Sequence, residues 1–182
     1  MRTHPSAALA AAFLAACLPS PRVPPRAADA GSSALLYAGL AVVAAGEWLR
    51  LWGVHHIGAV SRTRSDRLGP LIDSGPFALV RNPLYIGNIL LWVGFALSAR
   101  LPWLAPIIGA LLLLEYHAIV RWEERLLDTR IGDPYRDYKG RVPRWVPALG
   151  GRSTAAPGAA FSWRETFYSE RGTIIAIAAG YL

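Results

Sequence analysis

The stretch GPFALVRNPLYIGNILLWVGFAL, residues 75–97, decides how this chain folds, because a polar turn runs directly into an apolar segment. Asn followed by Pro is a typical helix start, since Asn is a favoured N-cap and Pro at the first helical position lacks only an N–H that has no partner there. No charged residue occurs between Asn82 and Arg100. We therefore predict a membrane helix that is capped by Asn82, begins at Pro83 and has Arg81 at its entrance.

The whole chain has the composition of a membrane protein. Of its 182 residues, 53% are hydrophobic and only 17% are charged, whereas a soluble domain carries about 25% charged residues. The predicted fold class is all-α, a polytopic membrane helical bundle with about five transmembrane segments. The apolar segments lie at 6–19, 33–53, 83–99, 102–120 and from residue 173 onward.

The apolar pattern divides the chain into three parts. Residues 1–31 hold a hydrophobic segment and a loop, which are either a first helix or a signal peptide ending at Ala-Asp-Ala, residues 28–30. Residues 32–149 form the membrane core, and residues 150–182 form a linker and the start of a last hydrophobic segment. The ten residues from Thr173 onward are too few to span a bilayer, so this segment either lies in the interface or is truncated.

The charge distribution predicts the orientation of the chain in the membrane and argues against nucleic acid as a partner. Loop 54–82 and tail 121–171 are rich in Arg, so both are expected to face the cytoplasm. The net charge of +7 comes largely from Arg beside apolar segments, which indicates topology and headgroup contact, so we do not expect nucleic acid as a partner.

Cys17 is the single cysteine, and the His55–His56 pair lacks further ligands at suitable spacing, so no metal site is expected.

Polar residues in and beside the apolar segments are candidates for function. Arg81 and the free backbone N–H groups of Leu84 and Tyr85 predict an anion site at a helix N-terminus; the alternative is that Arg81 contacts lipid phosphate. Asn88, one turn into the helix, must find a partner or line a pocket. Ionisable residues also occur within the apolar segments, namely Glu47, Arg50, Glu115 and His117.

Helical spacing predicts a packing face and a polar face. A face of mostly small residues, which is typical of close helix packing, is made by Gly87, Leu91, Gly94 and Ser98. A polar stripe on the next helix runs out of the membrane, with Tyr116 and Glu123 beside it. Its residues are His117, Arg121, Glu124 and Asp128.

A short cytoplasmic helix is predicted after this stripe. Gly132 is expected to end the long helix, Asp133 to cap the short one, Pro134 to occupy its first position and Gly140 to end it. The short helix is expected to lie at the membrane surface and to close a cavity over it.

Two motifs in these segments resemble those of the isoprenylcysteine carboxyl methyltransferase and phospholipid methyltransferase families. The segment LIDSGPFALVRNPLYIGNILLWVGFAL, residues 71–97, is similar to a Gly-x-aromatic turn followed by Arg-His-Pro-x-Tyr-x-Gly. The segment EERLLDTRIGDPYRDYKGRVPRWVP, residues 123–147, is similar to Glu-Glu-x-x-Leu, Phe-Gly-x-x-Tyr-x-x-Tyr and Val-Pro. Both occur in the expected order, separated by a helical hairpin.

The resemblance implies a methyltransferase of the bacterial inner (plasma) membrane. It implies S-adenosylmethionine as the methyl donor at the cytoplasmic face, beneath the short helix, and a lipophilic small-molecule or lipidated acceptor that arrives among the membrane lipids. The implied catalytic residues are Arg81, Glu123 and Glu124. The implied cofactor contacts are Leu71, Ile72, Phe77, Asn82, Pro83, Leu84, Tyr85 and Glu123.

Two departures from the motifs bear on the reaction. Asn82 stands where the families have His, and Ile131 stands where they have Phe. Asn cannot move protons, and transfer to a carboxylate needs no base, so we expect carboxyl O-methylation of the isoprenylcysteine type. The alternatives are phospholipid N-methylation and a non-catalytic lipid-binding or assembly protein that keeps the scaffold.

Overall fold

A computed structural model describes residues 30–58, 71–148 and 162–182 of the chain. These residues form five α-helices and one 3₁₀ turn, and no strand occurs among them, so the all-α fold class is confirmed. The elements are α1 (Ala30–Ile57), the 3₁₀ turn (Gly75–Ala78), α2 (Pro83–Ser98), α3 (Leu104–Ile131), α4 (Asp133–Arg141) and α5 (Trp163–Gly180).

Two of the described helices, α1 and α3, are long and apolar enough to cross a membrane. Helix α2 is apolar as well, but its 16 residues extend only about 24 Å at 1.5 Å per residue. The five predicted transmembrane segments are therefore not confirmed. The segment predicted at 6–19 lies outside the described residues.

Small residues bring α1 and α2 into backbone contact. A Cβ atom added to Gly46 of α1 would lie 2.8 Å from the carbonyl oxygen of Gly87 on α2. Two turns away, toward the start of α1 and the end of α2, a Cβ added to Gly94 would lie 2.8 Å from the carbonyl oxygen of Gly39. The predicted packing face on α2 is confirmed, because only residues without a side chain allow this approach.

Helix α3 continues past the apolar segment and ends at Gly132, as predicted. Gly132 has a φ of +73°, which favours glycine, and it also serves as the N-cap residue of α4. Asp133 is therefore the first residue of α4 and not its cap, and its carboxylate binds Arg136 at 2.8 Å instead. The predicted end at Gly140 is also wrong, because α4 continues to Arg141.

Helix α5 begins ten residues before the predicted opening at Thr173. Its start is fixed by a capping box, in which the Ser162 hydroxyl accepts from the Glu165 backbone N–H and the Glu165 carboxylate accepts from the Ser162 backbone N–H. Trp163 then stacks on His55 of α1, with ring centroids 4.2 Å apart. The first half of α5 is polar, so an argument based on apolar residues alone did not predict this part of the helix.

Candidate active site at the start of α2

The two motif segments meet at the N-terminus of α2. The Arg81 backbone N–H donates to the Pro143 carbonyl oxygen at 2.9 Å, and the Ala148 N–H donates to the Leu79 carbonyl oxygen at 2.9 Å. Residues 143–148, which we call the strap, thereby pair with the residues that lead into α2. The Tyr138 hydroxyl adds a third tie, because it donates to the Phe77 carbonyl oxygen at 2.8 Å.

Glu124 of α3 binds two arginines beneath the strap. Its Oε1 lies 2.8 Å from Arg81 Nη1, and its two oxygens accept from Arg144 Nε at 3.0 Å and Arg144 Nη2 at 2.6 Å. The Arg81 and Glu124 side chains are only 11% and 9% exposed, so Arg81 is directed into the protein. This position argues against lipid phosphate as the partner of Arg81.

Arg81 keeps unused hydrogen-bonding capacity within this cluster. Its Nε is buried without a hydrogen-bond partner among the described residues. Its Nη1 lies 2.8 Å from Glu124 Oε1, and its guanidinium also hydrogen-bonds to Tyr135. Arg81, Arg144 and Glu124 together carry a net charge of +1. Buried guanidinium N–H groups of this kind require an acceptor, so the cluster suits an anionic group such as a carboxylate.

Asn82 does not cap α2 with its side chain, contrary to expectation. Its backbone carbonyl accepts from the Ile86 N–H at 3.2 Å, while its side-chain amide donates to the Arg144 carbonyl oxygen at 3.2 Å. Tertiary pairing with the strap therefore takes the amide away from the helix end. Asn82 positions Arg144, and the first N–H groups of α2 remain without an Asn82 side-chain acceptor.

Glu123 has a different set of neighbours from Glu124. The Tyr85 hydroxyl donates to Glu123 Oε1 at 2.9 Å, and the Tyr85 ring lies 4.8 Å from the Tyr116 ring between centroids. On the adjacent face, the Trp145 indole N–H contacts His117 Nδ1 at 3.2 Å. Two carboxylates, two phenols and an indole thus lie around the start of α2.

The tyrosines of α4 are neutral hydrogen-bond donors at ordinary pH. Burial, reinforced by the nearby Glu124 carboxylate, raises the pKa of Tyr135 to about 12, against the opposing charge of Arg81. Burial also raises the pKa of Tyr138. The hydrogen bond to Glu124 raises the pKa of Arg144. None of these three groups is a proton acceptor near neutral pH.

The structure brings Arg81, Asn82, Tyr85, Glu123 and Glu124 together, and it places the apolar candidates around them. Leu71 packs against the core made by Tyr135, Tyr138 and Val142. Phe77 and Pro83 are buried, and Leu84 faces Gly53 of α1, while Ile72 is half-buried. Their contact with a cofactor stays a prediction.

Sequence reasoning missed Arg144 and Trp145. Both belong to the quoted second motif, in RVPRWVP, but nothing in local spacing indicates that the strap returns to α2. The described residues contain no group of three or more His, Cys, Asp or Glu side chains placed to hold a metal ion.

Comparison with known proteins decides the family. Residues 34–133 match the family model described as phospholipid methyltransferase. The chain belongs to this family. The match, together with the apolar α1 and α3, supports a membrane protein of the phospholipid methyltransferase kind.

Two curated relatives carry names from metal resistance. Over 118 residues the chain is 31% identical to the nickel-cobalt-cadmium resistance protein NccN of Alcaligenes xylosoxydans xylosoxydans, covering 65% of this chain and 52% of that protein. Over 79 residues it is 30% identical to the cobalt-zinc-cadmium resistance protein CzcN of Cupriavidus metallidurans, covering 43% and 36%. The chain thus spans about half or less of the length of these relatives. No solved structure matches it significantly.

Proposed function

We propose that this protein is an integral membrane methyltransferase that uses S-adenosylmethionine to methylate the carboxyl group of a lipophilic acceptor. The observation that carries the proposal is the buried Arg81 guanidinium beside a helix N-terminus, whose Nε has no hydrogen-bond partner among the described residues. The family match supports the reaction class. The Arg-rich loops support a cytoplasmic site at a bacterial inner membrane.

The residues at the start of α2 fit the three charged groups of the donor. Arg81 and the first N–H groups of α2 would hold its carboxylate, and Glu123 would accept from its ammonium group or ribose. Tyr85 and Phe77 offer aromatic faces to the adenine or the sulfonium. When bound, the donor supplies a methyl group on a sulfonium sulfur, which an acceptor carboxylate takes without losing a proton.

The chain's own residues favour a carboxylate acceptor. Asn82 cannot accept a proton, and Tyr135 and Tyr138 keep theirs. These groups can align and desolvate an ionised acceptor without acting as a base. Phospholipid N-methylation is the second candidate, which the family's name supports; it would need Glu123 or Glu124 to take a proton from the amine.

The metal-resistance relatives suggest a physiological setting. On the basis of these names, we propose that the chain contributes to metal resistance through a methylated membrane product. A non-catalytic assembly role in the same setting is the competing class, and it predicts no donor turnover.

Incubation of membranes with methyl-labelled S-adenosylmethionine distinguishes carboxyl methylation, phospholipid N-methylation and a non-catalytic assembly role. The carboxyl proposal predicts label in a lipophilic fraction that is released by mild alkali, because esters hydrolyse there and methylamines do not. Alkali-stable label on a phospholipid amine would establish the second candidate. Membranes without the protein serve as the control, and absence of both donor binding and label would leave the assembly role.

A further inference from the structure

The two histidines at the end of α1 face different parts of the protein. The His55 ring stacks on Trp163 of α5, with ring centroids 4.2 Å apart, and its Nδ1 lies 3.4 Å from the Thr166 hydroxyl. The His56 ring instead covers Gly75, the first residue of the 3₁₀ turn. A Cβ atom added to Gly75 would lie 2.5 Å from Cδ2 and 2.6 Å from Cε1 of this ring. No side chain therefore fits between the His56 ring and the backbone of the turn.

A hydrogen bond within α1 holds the His56 ring in this position. Its Nδ1 lies 2.9 Å from the Trp52 carbonyl oxygen, one turn earlier on the helix. Because a carbonyl oxygen only accepts, Nδ1 carries the proton and donates, and Nε2 carries none in the neutral ring. The ring can move away from Gly75 only if this bond breaks.

The turn that His56 covers carries Phe77, which we assign to the methyl donor. Gly75 has a φ of +58°, a backbone conformation that favours glycine, and the three residues after it are buried. A 3₁₀ turn of this length makes few hydrogen bonds of its own, so its position depends on the elements packed around it.

Two helices contact this turn from different directions. On the α1 side, a Cβ added to Gly53 would lie 3.9 Å from Phe77 Cε2, and His56 lies against Gly75 one turn later. On the α4 side, the Tyr138 hydroxyl donates to the Phe77 carbonyl oxygen at 2.8 Å. His56 is thus the α1 side chain that limits how far the start of the turn can shift.

We propose that His56 is a positioning residue of the donor site: its ring fixes the Gly75–Ala78 turn from the α1 side and thereby sets where Phe77 meets the adenine or the sulfonium. This inference rests on the proposed methyltransferase function. His56 acts through the turn and takes no part in the transfer step. Without its ring, the turn would occupy the required position for only part of the time, and the donor affinity would fall in proportion.

Calorimetry with S-adenosylmethionine in detergent tests this role in three variants of the same residue. His56→Ala is expected to raise the donor Kd by about tenfold, which corresponds to a turn that keeps its position about one tenth of the time. His56→Phe retains an aromatic ring over Gly75 and should bind the donor nearly as well as the wild type. His56→Asn retains an N–H that can reach the Trp52 carbonyl but has no ring, so it should resemble His56→Ala.

The matched control is His55→Ala, because it removes the neighbouring ring at the same helix end. It loses the stack on Trp163 and should lower the unfolding temperature, yet leave the donor Kd within about twofold. Affinities are compared at a temperature at which thermal unfolding shows each variant to be folded. Equal rises in Kd in His55→Ala and His56→Ala would overturn the positioning role and leave His56 as a structural residue only.

The contrast between His56→Phe and His56→Asn decides the test even where His56→Ala does not fold. Affinity that is kept by His56→Asn and lost by His56→Phe would overturn the role of the ring. NMR of the wild-type protein with isotope-labelled histidine adds a spectroscopic measurement: the His56 ring should be protonated on Nδ1, and donor binding should shift its resonances and not those of His55. Unchanged His56 resonances at saturating donor would also overturn the inference.

Outcomes in the wild-type protein separate this inference from the function on which it rests. Donor binding that is equal in the wild type and in His56→Ala would overturn the positioning role and leave the methyltransferase standing. No donor binding by the wild type would overturn the proposed function and the positioning role together.

Discussion

Replacement of Arg81 by Ala should weaken donor binding by roughly ten- to a hundredfold while leaving the fold nearly intact. Among the described residues of the site, Arg81 has a buried guanidinium whose Nε lacks a hydrogen-bond partner. Its side chain is 11% exposed, so a carboxylate bound there is largely shielded from water. Losing one charge-assisted contact in such a place costs about 1.5–3 kcal/mol, which is roughly a ten- to a hundredfold rise in Kd.

The fold should survive because Glu124 keeps both hydrogen bonds to Arg144 when Arg81 is removed. Glu124→Gln should behave in the opposite way: it leaves two guanidinium groups without their carboxylate and destabilises the protein by about 3–5 kcal/mol. Calorimetry with S-adenosylmethionine and thermal unfolding in detergent measure the two quantities. Arg121→Ala, at an exposed position of α3, is the control, and equal donor affinity in Arg81→Ala and Arg121→Ala would refute the assignment.

Three other outcomes follow from the structure. Glu123→Gln should weaken donor binding about tenfold in calorimetry, whereas Asp137→Asn, an exposed carboxylate on α4, should not; equal affinities would remove Glu123 from the site. Gly46→Ala should lower the unfolding temperature, because its methyl group would lie 2.8 Å from a backbone carbonyl on α2, whereas Gly172→Ala, with open space around it, should not. Tyr135 keeps its proton to about pH 12 when folded, against 10.0 as its ordinary value, so its contribution to stability is intact below pH 10 and falls as the pH rises from there to about 12. Unfolding of wild type and Tyr135→Phe across that range checks the sign, and parallel curves would contradict it.

The sequence predicted the helix ends that depend on only one or two residues. The Asn-Pro pair placed the start of α2 at the observed residue, and Gly132 placed the end of α3, because both depend on the backbone of one or two residues. The cap of α4 was predicted wrongly for the same reason: Gly132 has a backbone conformation that serves both helix ends, and Asp133 is left to bind Arg136.

The sequence predicted several residues of the site, but it did not predict the contacts between segments that are distant along the chain. The resemblance placed Arg81 and Glu124 in one site, and the structure pairs them. Arg144 escaped notice because its partnership with Glu124 depends on the strap folding back to Leu79 and Arg81. Arg50 pairs with Glu170, which lies 120 positions later in the chain. Polar residues on separate helices can be found in the sequence, but the sequence does not indicate which of them pair with each other.

The length of helix α3 bears on how the protein responds to the thickness of the membrane. Its 28 residues form one uninterrupted rod of about 42 Å, against roughly 30 Å for the hydrocarbon core of a bilayer. The same rod is long and apolar enough to cross the lipid, and it carries Glu123 and Glu124 to the start of α2. A change in bilayer thickness alters the tilt of a long helix at small energetic cost, and that tilt would move the two carboxylates relative to Arg81. We therefore expect the proposed donor affinity to vary with lipid chain length, so that the protein responds to the thickness of the surrounding membrane.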